Sequence, residues 1–141
     1  MTAVTRWEHF PHEADVGVRG VGETLAQAYE QAALALTAAI TDVSTVNPKT
    51  RISLSCDAPD AELLLVDWLN ALVYEMATRS MLFSRFEVQL QDCHLTGQAW
   101  GEAIEVARHR PATEVKGATY TALRVVQQAD GSWLAQCVVD V

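Results

Sequence analysis

Apolar and polar positions change period along this chain, and the changes mark its elements. Trp7–Phe10 and Asp15–Val21 read as two short extended pieces separated by a proline-containing corner, Phe10-Pro11-His12-Glu13-Ala14. Gly22 closes the second piece and the period lengthens. Leu25, Ala28, Ala32, Leu36, Ala39 and Ile40 recur at helical spacing behind Thr24-Leu25-Ala26-Gln27, a capping-box pattern, so a helix of about four turns is expected to about Thr41. After the turn signal Asn47-Pro48, Ile52, Leu54 and Cys56 alternate with Arg51, Ser53 and Ser55 as in a half-buried strand. Pro59-Asp60 opens a second helix with Leu65, Leu69, Leu72 and Met76 on its apolar face and Asp67, Asn70 and Tyr74 on another side. Beyond Phe86 the pattern is extended: Phe86, Val88 and Leu90 alternate, then stretches follow at about 92–102, 113–120, 122–128 and 132–140, with Asp130-Gly131 as a tight hairpin turn. The order predicts an α+β fold over 1–141, a single domain in which two helices pack on a face of one or two mostly antiparallel sheets.

Composition narrows what such a domain does. Half of the 141 residues are hydrophobic, enough for a packed core without staples. Ten Lys and Arg against eighteen Asp and Glu leave a net charge of −8, with no basic stripe. A protein that grips a phosphate backbone unaided needs such a stripe, because counterion release supplies most of the affinity. Tight direct nucleic-acid binding is therefore not expected, whereas docking to a basic partner suits the charge. Cys56, Cys93 and Cys137 are far apart and form neither CxxC nor a His-paired spacing, so they read as buried apolar side chains. Without a cleavable signal pattern or a membrane-length apolar run, a cytoplasmic protein off the membrane is expected.

Reactive side chains are densest between Glu8 and Val16, where His9, His12, Glu13 and Asp15 fall together. The histidines lie on a turn and strand rather than one helix face and lack a third nitrogen or sulfur ligand nearby, which argues against zinc. His94 and His109 stand in unrelated contexts. Asp15 begins a strand, a place where aspartate commonly satisfies backbone donors. Asp140 is next to the terminal Val141, and two carboxylates so close repel; a third converging on them would raise a pKa or call in a cation, a hard ion such as Ca2+ or Mg2+ given oxygen-only ligands. Lys116, before Gly117 on an extended segment, is ordinarily a solvated lysine. No GxxxxGK[ST], GxGxxG or GxSxG is present, and no Ser, His and Asp stand out as a triad.

Trp7-Glu8-His9-Phe10 with His12-Glu13-Ala14-Asp15-Val16-Gly17-Val18, then Asp67-Trp68-Leu69-Asn70 with Leu72 and Tyr74, Leu82-Phe83-Ser84 with Phe86, Thr113-Glu114-Val115-Lys116 through Tyr120, and Val138-Val139-Asp140-Val141 together resemble the archease family across nearly the whole chain. Thr121, where the family commonly has histidine, and Gly117, where alanine is frequent, depart from its pattern. The resemblance implies a strand-helix-strand-strand module with the first and last strands side by side. It implies a divalent-metal site at Asp15, Asp140 and the Val141 carboxylate, holding Ca2+ first and Mg2+ or Mn2+ as alternatives. Lys116 would be activity-critical there, with His12 and His9 as supporting residues. It further implies a protein without catalysis of its own that assists an RtcB-type RNA ligase in tRNA splicing or RNA repair, promoting ligase guanylylation and multiple turnover. Two other readings compete: a chaperone or modulator of another RNA-modifying enzyme, such as an RNA methyltransferase, and a small metal-dependent hydrolase with His12 as its acid or base.

Overall fold

A computed structural model describes residues 5–141. The helix-start signals act locally as read: Thr24 accepts the Gln27 backbone N–H at 3.1 Å and opens α1 (Leu25–Ile40), and Asp60 accepts that of Leu63 at 2.8 Å and opens α2 (Ala61–Arg79). The strands are β1 (Arg6–His12), β2 (Asp15–Gly22), β3 (Thr50–Asp57), β4 (Met81–Gln91), β5 (His94–Ala103), β6 (Gly117–Ala118), β7 (Arg124–Gln127) and β8 (Trp133–Asp140). One sheet runs β1-β2-β8-β6 with β7 also on β8, and the other runs β3-β5-β4. Every pairing among the described residues is antiparallel. The run β3-α2-β4-β5 is the strand-helix-strand-strand module.

The structure corrects four expectations. The corner between the first two strands shrinks to Glu13-Ala14, because Pro11 continues β1, an edge strand where its missing N–H is tolerated. A third, short helix, α3 (Val106–His109), lies where no periodicity could announce it. The stretch 113–120 contributes only the two residues of β6. Finally, the last strand, β8, lies beside the second, β2, and not beside the first; the helices pack on sheet faces as expected, α1 on β1, β2 and β8 of one sheet and on β4 of the other, and α2 likewise on strands of both.

This middle-layer position explains the composition of α1. Ala28, Ala32 and Ala35 are fully buried, as are Tyr29, Ala33, Leu36 and Thr37. On the β2 side the contact is backbone to backbone, since a Cβ at Gly20 would stand 2.1 Å from the Ala28 carbonyl oxygen and 2.4 Å from the Ala32 nitrogen. On the other side the Thr37 hydroxyl donates to the Phe83 carbonyl of β4 at 2.8 Å. From α2, Trp68 is fully buried and its indole N–H donates to the Tyr29 carbonyl at 3.1 Å, which locks the helices together.

Candidate functional site

The register of the first sheet builds the site. His12 is paired with Asp15 across the β1–β2 hairpin, so both project from the same face. The β2–β8 ladder pairs Val16 with Val139, and one step further Asp15 stands opposite Asp140. His12, Asp15 and Asp140 thus form a row across three strands. Gly20, Val18 and Cys137 belong to the opposite face, which meets α1, so the row looks outward. Asp15 does satisfy a backbone donor, and that donor is the chain end: its Oδ1 accepts the Val141 N–H at 3.3 Å.

Lys116 reaches the row through the backbone. Its N–H donates to the Asp140 carbonyl at 2.8 Å, directly before Gly117 pairs with Asp140. Gly117 and Ala118 pair in register with Asp140 and Val139, and the Thr119 N–H continues the ladder to the Val138 carbonyl at 3.0 Å. The Lys116 ammonium is exposed and forms no ion pair among the described residues.

His9 is placed elsewhere. Three residues from His12, it projects from the opposite face of β1, and its Nε2 lies 2.8 Å from the Ala35 carbonyl of α1. It ties the edge strand to the helix. Cys56 and Cys137 are buried free thiols, whose pKa burial raises, to about 12 for Cys137. His94 lies beyond reach on the β4–β5 hairpin, 2.7 Å from Asp57.

A polar cluster with no counterpart in the sequence reading holds the loop that leads to Lys116. Glu102, 6% exposed, receives Arg108 through two hydrogen bonds of 2.6 and 3.0 Å, the Asn47 N–H at 2.7 Å and His109 Nε2 at 3.0 Å. Because His109 Nδ1 accepts the Glu105 N–H at 2.9 Å, its Nε2 carries the proton and donates. The hydrogen bonds from Arg108 foremost, then that from Asn47, hold the Glu102 carboxyl well below the usual carboxylate range. The only signal was charge density between Glu102 and Arg110, which spacing does not distinguish from a solvated face.

Chemically, Asp15, Asp140 and the terminal carboxylate are oxygen donors only. No three His, Cys, Asp or Glu side chains among the described residues are arranged to hold a metal, so an ion at this row needs the main-chain carboxylate as a third group. Like charges opposed on neighbouring strands repel, and a hard divalent cation relieves that repulsion, so the donor set fits such an ion.

A model of the archease protein family matches residues 7–141. The archease protein of Pyrococcus furiosus is 36% identical over 140 residues, covering 96% of this chain and 99% of that protein. That of Sulfurisphaera tokodaii is 36% identical over 138 residues, again covering 96% and 99%. The solution structure of Methanobacterium thermoautotrophicum protein 1598 superposes with a TM-score of 0.78 at 34% identity, over 96% of this chain and 98% of that one.

Proposed function

The chain belongs to the archease family, and from that premise we propose that it activates an RtcB-type RNA ligase without catalysing ligation, through the Asp15–Asp140 row and Lys116. One observation carries the reading: Asp15 and Asp140, two carboxylates with no ion pair among the described residues, stand opposite each other at one end of a sheet, with Val141 bonded to Asp15 and the Lys116 backbone bonded to Asp140. Asp15, Asp140 and the Val141 carboxylate would hold a divalent cation, Ca2+ first. When bound, that ion neutralises the acidic row and offers a charged tip to the partner. Asp15 meanwhile fixes the terminus through the Val141 N–H, and Lys116 presents a cation suited to phosphate or carboxylate groups in the ligase's nucleotide site. The net charge of −8 supports this reading, since an acidic chain without a basic stripe suits docking to a partner that itself holds the RNA. No described helix is long and apolar enough to cross a membrane.

The test is GMP loading of a cognate ligase. Asp15→Ala and Asp140→Ala should each abolish stimulation at substoichiometric activator while leaving the folded state intact by circular dichroism. Full stimulation by either variant would sink the proposal. Pull-down of an RNA methyltransferase in place of the ligase would redirect it.

A further inference from the structure

Asn70 lies on α2, and its side-chain amide makes both of its hydrogen bonds to one residue of a different element: Oδ1 accepts the Ala118 N–H at 2.8 Å, and Nδ2 donates to the Ala118 carbonyl at 3.3 Å. The amide of Asn70 stands where the next strand would be. Ala118 requires it: the Thr119 N–H points to β8, so the alternation of an antiparallel strand turns the Ala118 N–H to the opposite edge, where no strand pairs with β6 among the described residues. β6 is only two residues long, so ladder bonds alone hold it weakly.

α2 is a rigid reference for that clamp. Leu69, next to Asn70, and Trp68 are fully buried, with Trp68 bonded to Tyr29 of α1. Gly117 fits the same geometry: a Cβ there would stand 3.1 Å from Asn70 Oδ1. The backbone of Lys116 is therefore suspended between two points, the Asp140 carbonyl on one side and, two residues on, the Asn70 amide.

We propose that Asn70 is the positioning residue of Lys116, setting through Ala118 where the lysine stands relative to the Asp15–Asp140 row. This rests on the activator reading above. Misplacing a working group by about 1 Å costs up to about a hundredfold in rate, so loss of the clamp acts on stimulation far more than on folding.

The experiment combines Asn70→Ala, Asn70→Asp and Gly117→Ala with Lys116→Ala in the ligase-loading assay, with ligase affinity and amide exchange measured on the same proteins. Asn70→Asp keeps the acceptor for Ala118 N–H and loses the donor; Gly117→Ala crowds the clamp with Asn70 intact, and serves if Asn70→Ala does not fold. Asn70→Ala should lower stimulation at least about tenfold with ligase affinity unchanged. It should speed amide exchange at Lys116, Ala118 and Thr119 but not at Val18 or Cys137. On a Lys116→Ala background it should add nothing. Wild-type stimulation by Asn70→Ala beside an inactive Lys116→Ala overturns this inference alone, as does a defect that multiplies with that of Lys116→Ala. Full stimulation by Lys116→Ala overturns it together with the activator role of that lysine.

Discussion

A single carboxylate shows how the interior sets charge. Glu30 on α1 accepts the Val88 N–H of β4 at 2.8 Å, and burial, only partly offset by that bond, raises its pKa above the ordinary value. A carboxyl whose folded pKa is raised is favourable at low pH, and that contribution is lost as pH rises through the folded pKa. Glu30→Gln keeps an acceptor for Val88 and removes the charge. It should therefore raise Tm at pH 8 and leave it unchanged at pH 3, which thermal melts at the two pH values would check; equal melting at pH 8 would refute it. Asp15 shows the other half of the lesson. Its type and its place at a turn were readable, as was its tendency to take a backbone donor, but not that the donor would be Val141.

At the scale of elements, α1 and β2 are matched by subtraction of side chains. Gly20 opposite Ala28 and Ala32 lets a helix lie on a strand at backbone distance. Gly20→Ala should cost about 1–3 kcal/mol or more, the range for forcing atoms into a packed interior, measured as a lower urea midpoint with unchanged slope; wild-type stability would mean that α1 shifts freely. The same register carries the site. A slip of one residue between β2 and β8 would turn Asp15 to the helix face and separate it from Asp140, so the packing of α1 holds the carboxylates in line. Helix starts at Thr24 and Asp60 and the Asp130–Gly131 hairpin were legible because each is encoded within four or five residues. The short α3 was not, because its stability comes from Glu102 rather than from its own pattern.

Across the whole molecule, the Glu102 cluster ties together elements that share no strand pairing. It joins the end of β5 to Asn47 and to Arg108 and His109, while the Thr41 hydroxyl after α1 donates to the His109 carbonyl at 2.5 Å. A carboxyl with a depressed folded pKa contributes stability that is full above the ordinary Glu value of about 4.3 and is lost as pH falls through the folded value. Glu102→Gln should lower the denaturation midpoint at pH 7, with the gap to wild type narrowing only in strong acid. A gap that closes by pH 5 would contradict the cluster. Sequence by itself determined the α+β class, the two long helices, most strand positions and the acidic character, since periodicity, caps and net charge are properties of neighbours or of sums. It also supplied the chemical types at Asp15, Asp140 and Lys116. Only the tertiary structure decided that the helices form a middle layer, that Asp15 faces Asp140, and that Asn70 holds Ala118. Those facts depend on which strands close on one another across the chain, and that is settled by burying the whole core at once.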